Sequence, residues 1–145
     1  DPEGDRIQGV PERFGLALVL PLPYSGKVQS HIGAWLDQGR RLLVPVLWEY
    51  EVASALRRAE SLGVVTGEQV ANCTRELWAL DLERVAPSPE LHASALQWSR
   101  RLAQSKAYDG QYLAAAEWAG AEFWTADARL AEQARRLGAL WVHAL

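Results

Sequence analysis

The chain predicts an α/β architecture: a short parallel sheet enclosed by helices, in three layers (α/β/α). Three observations lead there. A brief aliphatic run at 42–44 is long enough for a buried strand, and the short segments 122–125 and 140–142 also read as strands. Segments of helical periodicity separate them, with turn and capping residues at the changeovers. Hydrophobic residues make up 49% of the 145, enough to give one domain over residues 1–145 a sizeable core.

Residues 6–10 are a weak candidate for a first strand, because Gly9 and Pro11 disfavour it. A fair amphipathic helix spans 27–38, with Gly39 behind it. The strand at 42–44 closes at Pro45, and residues 45–62 are helical, with Pro early and Gly63 past the end. Thr66, Gly67, Glu68 and Gln69 have the form of a capping box that opens a helix to about residue 80. Ser88 as cap and Pro89 as first helical residue open another, to about residue 104. Residues 108–119 are helical and stop at Gly120, the strand at 122–125 follows, and a helix over 128–137 ends at Gly138 before the last strand. In such sheets ligands bind beyond the carboxyl ends of the strands.

Composition narrows the function. With 23% charged residues beside the 49% hydrophobic, a disordered or fibrous chain is excluded, and no run is long and apolar enough for a membrane helix. The apolar run 16–20 ends at Pro21 and lacks a basic leader, so it is not expected to be a signal peptide. The start at Asp1, in a chain without Met, suggests a natural start that is missing, processed or trimmed. Cys73 stands alone, which gives no internal disulfide or zinc cluster and points to a reducing, cytoplasmic setting. A net charge of −3 excludes a broadly basic nucleic-acid binder but leaves room for a local basic surface.

Phosphate loops, nucleophile elbows and paired metal-binding histidines are absent, and carboxylates in awkward places remain. Glu51 has Leu47 and Ala55 as helical neighbours and points from a small, apolar stripe. Asp109 shares a face with Tyr112, Leu113 and Ala116. Asp127 lies just past the strand end at Thr125, where a parallel sheet presents its site. Carboxylates converging on one point repel and call for a cation, most simply Mg²⁺ or Mn²⁺ with oxygen ligands. Each also has a plainer role: Asp109 and Asp127 could cap their helices, and Glu51 could be a half-exposed surface residue.

Three stretches resemble the PIN-domain ribonucleases, in particular the VapC-type toxins of toxin–antitoxin pairs. Residues 107–117 (AYDGQYLAAAE) are similar to that family's third acidic motif, 123–130 (FWTADARL) to its fourth, and 45–52 (PVLWEYEV) to its second. The likeness runs from about residue 16 to the C-terminus, and the two C-terminal motifs, with their acids eighteen residues apart, are its more specific part. The resemblance implies a PIN-like sandwich and metal-dependent endonucleolytic cleavage of RNA. Glu51, Asp109 and Asp127 would be the catalytic, metal-holding residues, the metal Mg²⁺ or Mn²⁺, and Thr125 would support the cluster by hydrogen bonding. It further implies a homodimer and a small antitoxin whose tail blocks the acidic groove.

At the N-terminus the sequence departs from the family, and residues 1–15 are atypical. The family's first strand ends in an aspartate that should fall near Pro11, with Ser or Thr shortly after. Here Asp5 is too early and Glu12 one step late. An altered N-terminus, a shifted acid and a weakened site stand as alternatives, and the last would leave a PIN-like binding module acting through RNA or protein contacts.

Four Arg-Arg pairs (40–41, 57–58, 100–101 and 135–136) stand out; the last three fall near predicted helix C-termini, where cations offset the dipole. If some flank the acidic pocket they would hold RNA phosphates. Among seven Trp, Trp35 and Trp48 on front-half helices are candidates for an interface.

Overall fold

The computed structural model describes residues 6–145. In chain order these form β1 (Ile7–Gly9), α1 (Glu12–Val19), α2 (Ser25–Asp37), β2 (Arg41–Pro45), α3 (Leu47–Ser61) and α4 (Gly67–Trp78). Then follow β3 (Leu82–Val85), α5 (Pro89–Arg101), α6 (Tyr108–Ala119), β4 (Glu122–Thr125), α7 (Ala128–Arg136) and β5 (Val142–Ala144). Every pairing is parallel, in the order β3-β2-β1-β4-β5. The chain steps outward from β1 to β3, then crosses back to β4 and β5. With right-handed crossovers that reversal places α1–α4 on one face and α5–α7 on the other, giving the three layers. Packing agrees: α1 touches α2, α3 and α4, while α6 lies across β1, β2 and β4 beneath α5. The reversal lies between β1 and β4, so the crevice at their carboxyl ends is where a site belongs.

The helix signals are realised locally. Thr66 Oγ1 accepts the Gln69 N–H at 3.2 Å while Gln69 Oε1 accepts the Thr66 N–H at 2.8 Å, which closes the capping box. Ser88 Oγ accepts the Leu91 N–H at 3.1 Å ahead of Pro89. Gly120 ends α6 at φ +64°, a left-handed cap that costs glycine nothing.

The structure departs from the sequence expectations at several elements. β1 is a true strand, paired on both sides; a side chain at Gly9 would put its Cβ 2.8 Å from Phe123 Cδ2, so glycine is what lets β4 lie this close. Pro11 falls after the strand, as the extended residue before α1. Neither α1 nor β3 was expected. β5 begins at Val142, two residues later than the apolar run, because Leu140 faces solvent in the preceding turn. Trp35 and Trp48 are buried rather than interfacial: Trp35 stacks on Phe14 with centroids 6.4 Å apart, and Trp48 lies against Gly15 and Trp78. Arg58, Arg100 with Arg101, and Arg135 with Arg136 occupy the last turns of α3, α5 and α7, and Arg57 lies one residue before its turn. Several serve the fold: Arg101 donates to the Leu137 carbonyl (2.8 Å), and Arg135 to those of Leu140 (2.8 Å) and Val142 (3.0 Å). Among the described residues no helix is long and apolar enough to cross a membrane.

Candidate acidic site

Four carboxylates come from segments adjoining the carboxyl ends of β1, β2 and β4. Glu12 opens α1 immediately after Pro11, in the first turn, where a negative charge suits the helix dipole. Glu51 lies in the second turn of α3, between the buried Trp48 and Val52 and half-buried itself. Asp109 lies in the first turn of α6 and does not cap it; Gln104 Nε2 donates to its Oδ2 at 2.9 Å. Gly110 makes this placement possible, since a Cβ there would stand 2.3 Å from the Ala95 carbonyl oxygen of α5.

Asp127 is also a helix cap. It caps α7, Oδ1 accepting the N–H groups of Arg129 and Leu130 at 3.1 Å each. Its own N–H donates to the hydroxyl of the buried Thr125 at 3.0 Å, so Thr125 supports Asp127 by a hydrogen bond to its backbone. Asp127 shares with Gln104 a small cleft of about 240 Å³. Gln104 thus lines the cleft of Asp127 and bonds to Asp109.

Glu12, Glu51 and Asp109 act on one another around Tyr112. Desolvation raises the carboxyl of Glu51 above its ordinary 4.5; the Tyr112 hydroxyl pulls it down, and the charges of Glu12 and Asp109 push it up. Desolvation likewise raises Glu12, its own backbone N–H and Arg13 opposing and Asp109 adding to the rise. Burial, then the charges of Glu12 and Glu51, hold the Tyr112 phenol far above its usual range, so it stays neutral. Glu51 Oε1 and the Tyr112 hydroxyl are both buried without a hydrogen bond of normal geometry. Tyr112 therefore influences the carboxylates by proximity.

Sequence reasoning brought Glu51, Asp109 and Asp127 to one place; the structure sets Glu51 within electrostatic reach of Asp109, while Asp127 lines the cleft with Gln104. The same reasoning left Glu12, one residue late, open as a shifted acid, and passed over Gln104. Tyr112 appeared only as an apolar neighbour, although its position three residues after Asp109 on one helix face was a usable signal. Asp5 lies outside the described residues.

Oxygen-only donors, mutual repulsion and an orphaned buried carboxylate oxygen fit a hard divalent cation in chemistry. In spacing the set is not closed: among the described residues no three His, Cys, Asp or Glu side chains are gathered tightly enough to hold one ion.

No protein-family profile matches the chain, and no curated protein matches it in sequence. Solved structures do match. PAE2754 from Pyrobaculum aerophilum is similar with a TM-score of 0.66 at 17% identity, over 97% of this chain and 84% of that one. VapBC2 from Rickettsia felis, bound to a DNA fragment from their promoter, is similar with a TM-score of 0.67 at 11% identity, over 96% of this chain and 97% of that one. At these identities the likeness concerns the fold. It agrees with the sheet order and with the motif resemblance of the sequence: the chain has a PIN-like α/β/α fold, similar to that of these two structures.

Proposed function

We propose that the protein is a divalent-metal-dependent endoribonuclease acting on single-stranded or structured RNA, and the toxin of a toxin–antitoxin pair. One observation carries this reading: Glu12, Glu51 and Asp109 converge at the carboxyl end of the sheet, with Glu51 Oε1 buried and unpartnered. Like charges in a half-desolvated cleft raise each other's cost of ionisation, and a cation relieves it. Glu51, Asp109 and Asp127 would hold Mg²⁺ or Mn²⁺, with Glu12 serving in place of the first aspartate. When bound, the cation would acidify an attacking water and offset charge on the phosphate.

The chain's own groups set up the rest. Gln104 fixes the Asp109 carboxylate from one side, and Thr125 fixes the backbone of Asp127. Tyr112, held neutral by burial and by the charges of Glu12 and Glu51, places its phenol beside both carboxylates. Arg13 lines the cleft with Glu12 and Glu51, where a guanidinium suits an RNA phosphate. No covalent protein intermediate is required. The Rickettsia felis neighbour supports a small antitoxin as partner; a homodimer and a cytoplasmic setting belong to the same reading.

The test is Mn²⁺-dependent cleavage of a pool of single-stranded RNAs by the antitoxin-free protein, run beside Asp109→Asn. Cleavage that needs both the metal and Asp109 supports the nuclease. A second reading, a binding module of the same fold, is favoured by Pro11 in the aspartate's place and by the open spacing of the acids. It predicts no Mn²⁺ binding by calorimetry and no cleavage, with antitoxin binding intact.

A further inference from the structure

A mainly apolar cleft of about 550 Å³ lies beside the acidic site, between the start of α3, the β3–α5 connection and the first half of α6. Leu47, Tyr50 and Tyr108 line it and also line the adjoining cleft that contains Glu12 and Glu51, so the two share a wall. The tyrosines are 67% and 54% exposed and add little to the core. Each immediately precedes a carboxylate of the site: Tyr50 stands before Glu51 and Tyr108 before Asp109. One helical step, about 100°, turns the acid inward and leaves the ring on the rim.

The polar groups of the apolar cleft are few. His92 Nδ1 and Gln111 Nε2 pair at 2.9 Å, and Lys106 contributes a positive charge. A single-stranded base is held by an aromatic face, an apolar slot, a few partners for its edge and a cation for its phosphate. The cleft supplies all four, and its volume lies in the range of small-ligand sites.

We infer that this cleft is a base-binding subsite, which seats a nucleobase flanking the scissile phosphate of single-stranded RNA. The base stacks on Tyr50 or Tyr108, His92 and Gln111 meet its edge, and Lys106 meets its phosphate. The subsite rests on the nuclease reading, because the shared tyrosine wall makes the apolar cleft a continuation of the acidic one. Base preference would then be set here, away from the carboxylates.

The test titrates the full chain, in chelator, into short single-stranded RNAs carrying 2-aminopurine at one position at a time. Stacking in the cleft quenches the fluorescence at one position. Tyr50→Ala with Tyr108→Ala should raise the Kd roughly tenfold and restore that fluorescence, while the paired Tyr→Phe changes keep both. His92→Ala should alter the preferred base at the quenched position. Both tyrosines face solvent, so circular dichroism of the variants should match the parent. Equal RNA binding and quenching by the alanine pair would overturn the subsite. So would a fall in mass on sedimentation with RNA binding unchanged, which would make the cleft a contact between copies. Wild-type protein that cuts no RNA with Mn²⁺ would instead sink the nuclease reading, whereas cleavage with an indifferent alanine pair would remove only the subsite.

Discussion

Two groups of acids occupy the same end of the sheet under opposite conditions. Asp127, after β4, is exposed and satisfied: two backbone N–H groups fill Oδ1, and its charge meets the positive end of α7. Glu12 and Glu51, on the helices that follow β1 and β2, are half-buried; their carboxyls meet a phenol and further acids, and one Glu51 oxygen has no partner. Position at a strand end therefore does not by itself decide whether a carboxylate is satisfied within the fold. What separates them is whether the fold itself supplies a counterpart. A helix terminus fills Oδ1 of Asp127, whereas in the cluster around Tyr112 one Glu51 oxygen and the phenol are buried without a hydrogen-bond partner.

The sharpest way to break this contrast is at its unsatisfied pole. Asp109→Asn removes one charge at nearly constant shape and should lower Mn²⁺-dependent RNA cleavage by on the order of 10²–10³. A rate unchanged in single-turnover assays would place the chemistry elsewhere. Next in size is Gly110→Ala. Its new methyl meets backbone rather than a movable side chain, so a loss of about 3 kcal/mol is expected from the urea midpoint, with α5 and α6 forced apart. At the satisfied pole, Asp127→Ala should cost about 1 kcal/mol and lower Tm by about 3 °C, while Asp127→Asn, which retains a capping oxygen, should cost almost nothing. Should Asp127→Asn match the alanine change in Tm, the cap would not be what Asp127 contributes.

The smallest expected effect concerns pH. Glu12 and Glu51 titrate above 4.5 in the fold, so folding favours their protonated forms. Their contribution to stability is complete below about 4.5 and is lost as pH rises through the raised folded values. Glu12→Gln, neutral throughout, should therefore raise the metal-free Tm at about pH 7 and give no gain at about pH 4. Saturating Mn²⁺ should shrink or reverse the gain, because the ion stabilises the charged wild type. A Glu12→Gln protein less stable than the parent at neutral pH without metal would mean that the carboxylates are relieved from within.

Much of the architecture was legible in the sequence because its punctuation is local. The Thr66 box, Ser88-Pro89, Gly120 and Gly138 mark helix ends by chemistry that needs no distant partner. β3 was not legible. Its middle residues, Glu83 and Arg84, are charged because it is an edge strand, and their partners Arg41 and Glu49 come from β2 and α3. α1 was hidden by its short length and by Gly15, whose reason is a tryptophan ring from α3. The same limit applies to the site. Glu51, Asp109 and Asp127 were singled out as candidates through the motif resemblance, since spacing alone left their plainer roles open, whereas only the start of α1 directly after Pro11 brings Glu12 near Glu51 and Asp109. Counting along an assumed strand moves it out of place.

The central position of β1 sets how the site can be lost. Three residues long, the strand pairs with β2 and β4 at once, and the Val10 amide just beyond it still bonds to the Leu43 carbonyl at 3.0 Å. Glu12 hangs from that segment, so no peripheral fraying loosens it. The amides of Gly9 and Val10 should exchange with solvent only through global opening, at a rate tied to the whole molecule's unfolding free energy. Loss of the acidic cluster and loss of the fold are then a single cooperative event, and a sublethal dose of heat or denaturant would thin the population of competent molecules without producing a half-competent one.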